Sequence, residues 1–185
     1  MKRTWLTVLA LVVLALPSAC QNMEQTVQKL RSPDDNTRRQ AIEEIAPFGV
    51  KAIPALLAII ENPSAEPGAV MAAKMALERV VYQSTRPGAT AERKSAEQAL
   101  LARLRKPAPE SLQRFLLRLI TVVGTSQSVP ILQTLLGDKT LREPARMALE
   151  QIPGSEATAA LERAFAQATD PQWKSALLLA IGARK

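Results

Sequence analysis

The stretch that decides the fold is residues 33–61, PDDNTRRQAIEEIAPFGVKAIPALLAIIE. Its apolar residues follow two helical faces. Ala41, Ile42, Ile45 and Phe48 recur at intervals of three and four, as do Ile53, Leu56, Leu57 and Ile60, the spacing of an amphipathic helix with one side turned to a core. Between them Gly49 marks a turn, and Pro54 sits where the second helix opens, in the first turn that tolerates a missing N–H. Asp34, Asp35 and Asn36 stand at the entry to the first helix. Their spacing lacks the alternating acids and glycine of a calcium loop, so capping of the positive helix end is the expected role.

The same helix recurs along the chain. Segments beginning at Thr37, Ala69, Leu112, Leu141 and Trp173 align so that their fifth residues are Ala41, Ala73, Leu116, Ala145 and Leu177. Their ninth residues are Ile45, Leu77, Ile120, Leu149 and Ile181. Fifth and ninth residues lie on one helix face. A second helix follows each first one: Ala52–Ile60 matches Ser128–Leu136 with Pro54 and Pro130 in register, residues 90–106 fill the longer second unit, and Glu156–Phe165 is a weaker copy. No stretch alternates as a strand does, so the chain is expected to be all-α. Units that cannot bury their own apolar faces must stack.

These features resemble the HEAT-like repeat family in its short bacterial form, carried best by Asp34, Arg38, Ala41, Gly49 and Ile53-Pro54-Ala55-Leu56. The resemblance implies a short right-handed α-solenoid of antiparallel helix pairs over residues 33–185, about four and a half repeats. Residues 24–30 would form a leading helix within a 20–32 segment that covers the first unit. It also implies partner contact along the second helices, where Ala55, Ala58, Ala99 and Ala102 would allow close approach. Leu177, Leu178, Leu179 and Ile181 in the last helix are too apolar to stand bare on all sides. A docked partner, or a chain continuing past Lys185, stays open.

The N-terminus carries an address. Lys2 and Arg3 precede an apolar run from Trp5 to Leu16, then Pro17-Ser18-Ala19 and Cys20. This is the pattern of a signal peptide over residues 1–19, too short for a bilayer span. Ser-Ala-Cys resembles a bacterial lipobox, departing from it at Pro17. The resemblance implies thioether lipidation and acylation of Cys20, a membrane-anchored product, and, with Gln21 rather than Asp next, an outer-membrane position facing the periplasm. Ordinary secretion to the periplasm or beyond is the alternative.

Composition narrows the chemistry. No His and a single Cys leave no Ser-His or Cys-His pair, no His/Cys zinc set and no intrachain disulfide. Glu43 and Glu44 point about 100° apart on a helix of 3.6 residues per turn, so they do not form an acid/base pair. Gly124-Thr125-Ser126-Gln127-Ser128 lacks the last glycine of a nucleophile elbow and any base, and reads as a helix cap. Without residues 1–19 the chain holds 22 basic and 17 acidic residues, and the excess falls between Arg86 and Arg118. Arg93, Lys94, Arg103, Arg105, Lys106, Arg114 and Arg118 are therefore the expected partner or anion surface, suited to anionic lipid, lipopolysaccharide phosphates or an acidic protein. Export and the scarcity of aromatic residues disfavour nucleic acid. Met71 and Met75 are expected in the core, and Trp173 buried against the fourth unit.

The expected function is thus a non-catalytic, lipid-anchored interaction scaffold or adaptor of the cell envelope, with no cofactor, no metal and an unnamed protein partner. An accessory, lyase-like repeat protein and a structural fragment of a longer envelope protein are the alternatives.

Overall fold

A computed structural model describes the backbone of residues 18–184 and the side chains of residues 22–184. The signal-peptide and lipidation readings of residues 1–17 and of the Cys20 side chain lie outside the described residues. Among the described residues the fold is all-α, without strands. The helices are α1 (Ser18–Lys29), α2 (Asp35–Ile45), α3 (Ile53–Ile60), α4 (Pro67–Gln83), α5 (Thr90–Leu104), α6 (Glu110–Val123), α7 (Val129–Leu135), α8 (Arg142–Gln151), α9 (Ser155–Gln167) and α10 (Pro171–Ala183). Helix α1 begins six residues before the expected Glu24, so it takes in the backbone of Cys20.

Local chemistry sets the boundaries. Asp34 caps α2, its carboxylate accepting the Thr37 N–H at 2.8 Å, which satisfies one of the donors every helix start leaves free. Asp35 pairs with Arg38 and the Asn36 side chain accepts from Arg39, so all three polar residues serve this helix start. After α2 the chain tightens into a 3-10 segment, Ala46–Ala52, broken at Gly49 with φ +56° and ψ −142°. Only glycine adopts that conformation without strain. Pro54 and Pro130 lie in the first turns of α3 and α7, as their register predicts.

Alternate helices touch. Helix α2 packs against α4, α4 against α6, α6 against α8 and α8 against α10, while α3 meets α5 and α7 meets α9. Helix α1 lies on α2. All ten fifth- and ninth-position residues of the matched segments are buried, from Ala41 and Ile45 to Leu177 and Ile181. Small residues at Ala41, Ala73 and Ala145 leave room for the neighbouring helix, and the larger ninth residues fill the space between. Gly124, which ends α6, permits a close approach: a Cβ there would stand 2.6 Å from the Ile120 carbonyl oxygen and 3.0 Å from Ile152 Cδ1.

Candidate interaction surface

Four of the seven basic residues singled out in the sequence are engaged within the chain. Arg93 turns inward and donates to the carbonyls of Val123 and Gly124, both at 2.9 Å. Arg103, with its side chain only 12% exposed, pairs with Glu61 at the end of α3 at 2.7 Å. Arg114 pairs with Glu110 at 2.7 Å, and Arg118 with Glu78 on α4. Arg86, at the start of the same segment, is held by both oxygens of Glu92. Lys94, Arg105 and Lys106 are exposed and, among the described residues, their side chains have no ion-pair or hydrogen-bond partner. The local excess of charge is thus compensated in part, with Lys94, Arg105 and Lys106 left free.

The exposed apolar side chains fall elsewhere. Met71, Met75, Tyr82, Met147, Leu178 and Leu179 are the large hydrophobics left open, and they belong to α4, α8 and α10. Met71 and Met75, expected in the core, are 60% and 49% exposed. The reason is angular. Helix α4 buries Ala69, Ala73, Ala76 and Val80, a stripe at intervals of three and four. Met71 lies two residues beyond Ala69, about 200° around the helix, and Met75 bears the same relation to Ala73. Met75, Met147 and Leu179 are the seventh residues of their aligned segments, with Arg118 in the equivalent place on α6. Between α4 and α6 lies a groove of about 580 Å³ bordered by Met71, Met75, Lys74, Arg114 and Arg118. Its floor is Phe115, whose ring lies 5.5 Å from the Lys74 ammonium and 5.4 Å from the Arg118 guanidinium. These are cation–π distances. The Arg118–Glu78 ion pair borders the groove, and Arg79 on α4 pairs with Glu43 on α2.

On the second helices, Ala58 and Ala102 are exposed and Ala55 and Ala99 half-buried. Trp173 is buried, as expected, with Arg142 stacked 4.8 Å from its ring.

Sequence reasoning missed Glu97. It is fully buried on α5, and both carboxylate oxygens are engaged. Oε1 accepts the Thr125 N–H at 2.7 Å and the Ser128 hydroxyl at 2.6 Å, and Oε2 accepts the Thr125 hydroxyl at 2.8 Å. The signal was present: Glu97 stands three and four residues before Leu100 and Leu101, on the apolar stripe of α5. A carboxylate there must find donors. Thr125 and Ser128 supply them, so the Gly124–Ser128 stretch is at once a cap and the far half of a clamp.

Among the described residues, no group of three or more His, Cys, Asp or Glu is placed to hold a metal ion, and no helix is long and apolar enough to cross a membrane. Comparison with models of known protein families finds no match, and a search of curated proteins finds none.

Proposed function

We propose that this chain is an exported, lipid-anchored protein-interaction module of the bacterial cell envelope. It is a short right-handed α-solenoid of HEAT-like antiparallel helix pairs, tethered through Cys20 and without a catalytic centre of its own. The signal and lipobox-like residues 1–20 support the address, and the run of contacts from α2 to α4, α6, α8 and α10 supports the stacking. The partner meets the outer face of the first helices of each pair rather than the alanines of the second.

One observation carries this reading: Met75, Met147 and Leu179 occupy the same place in three of the aligned helices and are 49%, 51% and 74% exposed. Single exposed apolar residues need no explanation, but recurrence at one register position does. Methionine adapts its shape to a partner at little cost. The neighbouring charges Arg79, Glu43, Arg118 and Glu78 are paired within the chain, so recognition here is by apolar contact and the partner presents an apolar helix face.

A photoreactive residue at Met75, or at Ala58 as the competing face, followed by crosslinking in the native envelope and mass spectrometry, tests this. A discrete crosslinked protein from position 75 is expected, together with loss of fatty-acid labelling and membrane retention in Cys20→Ser. Crosslinks from position 58 alone would move the surface to the second helices. Silence at both positions, with the anchor intact, would remove the adaptor reading.

A further inference from the structure

A second feature, independent of that reading, lies among the last four helices. Helices α7 and α9 and the turn that leads into α10 enclose a cleft of about 430 Å³, lined mainly by polar groups. Lys139, Arg142 and Arg163 line it, with Gln167, Thr169 and Trp173. Lys139 and Arg142 stand three residues apart at the entry to α8 and Arg163 lies on α9, so the cluster forms only when the two stretches pack together.

Their partners distinguish them from the basic residues of the middle segment. Arg163 meets no carboxylate; one guanidinium nitrogen donates to the Gln133 side-chain oxygen at 2.8 Å, which orients the fork and leaves its other donors free. Lys139 has no side-chain partner among the described residues, nor do the Thr169 hydroxyl and the Gln167 amide. Asp170 is the acid in the lining, and it is already committed. It accepts from Arg142 at 3.0 Å and from the backbone N–H of Gln172 at 3.0 Å, capping α10. Arg142 is fixed further by stacking on Trp173. The cleft therefore carries a net positive charge, two held guanidinium groups and a set of unused donors lining one space.

We infer that this cleft binds a phosphoryl group through Lys139, Arg142 and Arg163, with Thr169 and Gln167 as neutral donors. Guanidinium forks match phosphate oxygens in pairs, and lysine adds a mobile point charge. The group belongs either to a small phosphorylated molecule or to a phosphorylated lipid headgroup, since both present the same oxygens.

Trp173 in the cleft wall supplies the readout. The chain has two tryptophans, so full-length Trp5→Phe leaves Trp173 as the sole indole. Pyrophosphate titrated at constant ionic strength is expected to change its fluorescence saturably, with a dissociation constant of about 0.1–1 mM, the range a few exposed charge-assisted bonds deliver. Lys139→Gln with Arg163→Gln is expected to weaken this at least about tenfold while the helical circular dichroism is kept. The charge-matched control, Lys94→Gln with Arg105→Gln, is expected to bind as the parent does. Absence of saturable binding, or equal binding by both double variants, would overturn the inference. Co-sedimentation with phosphatidylcholine vesicles, with and without phosphatidic acid, separates the sources. Phosphatidic-acid-dependent binding that is lost with Lys139 and Arg163 assigns a lipid headgroup, and pyrophosphate binding without it assigns a soluble ligand.

Discussion

Replacing Glu97 by alanine is the sharpest test of how neighbouring units are joined. The carboxylate on α5 holds three donors in the turn between α6 and α7: the Thr125 N–H, the Thr125 hydroxyl and the Ser128 hydroxyl. Arg93, one turn earlier on the same helix, holds the carbonyls of Val123 and Gly124 in that turn. Each hydrogen bond to a charged group contributes about 1.5–3 kcal/mol net, and a buried donor left without a partner costs about 1–3 kcal/mol. Against this stands the relief of no longer burying a carboxylate, which is several kcal/mol in size. Because Ser128 is itself fully buried, water cannot readily replace the lost acceptor. Glu97→Ala is therefore expected to destabilise the fold by about 3–5 kcal/mol, the range for removing one side of a buried charged network. Glu97→Gln keeps one acceptor oxygen and the side-chain shape, and should cost about 1–2 kcal/mol. Urea unfolding followed by circular dichroism measures both, with the slope checked because helical repeats can lose cooperativity. A loss below about 1 kcal/mol for the alanine variant would refute the view that this clamp joins the second and third units.

Acid should matter and neutrality should not. Hydrogen bonds from Thr37 hold Asp34 below the usual aspartate range, those from Lys29, Arg86 and Arg146 do the same for Glu44, Glu92 and Glu143, and those from Thr140 and Arg142 for Asp138 and Asp170. A carboxyl depressed in the folded state adds stability above its unfolded value and loses it as pH falls through the folded one. With no histidine in the chain, the melting temperature is expected to stay flat from about pH 7.5 to 5.5 and to fall below about pH 4; a drop within the neutral interval would contradict this. Gly49→Ala tests the kink after α2: nothing lies within 4 Å of the added Cβ, so a loss of about 1–3 kcal/mol in urea unfolding would come from backbone strain alone. Gly182→Ala, in α10 and equally unobstructed, should instead stabilise by up to about 1 kcal/mol.

Helices and core were legible because both rest on period. The interval of three and four that marks Ala41 and Ile45 also dictates which side of α2 turns inward, and the recurrence of that pair marks the inward side of four more helices. Residue type without phase misled: Met71 and Met75 are apolar, but they stand opposite the alanine stripe of α4 and so face outward. Phase without residue type would have found Glu97, whose place among Ala96, Leu100 and Leu101 on α5 is a core position. The Lys139, Arg142 and Arg163 cleft had no signal of either kind, because Arg163 on α9 meets the Lys139–Arg142 stretch only after α7 and α9 pack together.

Charge was the property a linear reading judged worst, and the cause is the spacing of the aligned segments. The aligned segments begin 29 to 43 residues apart. Arg86 and Arg114 find their acids locally, but two partners of the middle segment are separated by similar distances: 42 residues for Arg103 and Glu61, 40 for Arg118 and Glu78. The clamp follows the same rule, with Glu97 and Thr125 28 apart and Arg93 and Val123 30 apart, as does Arg142 with Asp170 at 28. A window of thirty residues along such a chain counts one unit's cations and misses the anions that the adjoining unit supplies. The excess that remains effective is therefore set by which cations lack a partner one unit away. By that criterion Lys139 and Arg163 in the fourth-unit cleft rank above Arg103, Arg114 and Arg118 as the groups free to hold an external anion. Exposed surface pairs contribute little to stability, so their effect here is on recognition: they occupy Arg79 and Arg118 on the first-helix face and leave the unpaired cations, Lys94, Arg105 and Lys106 as well as those of the cleft, to face an external anion.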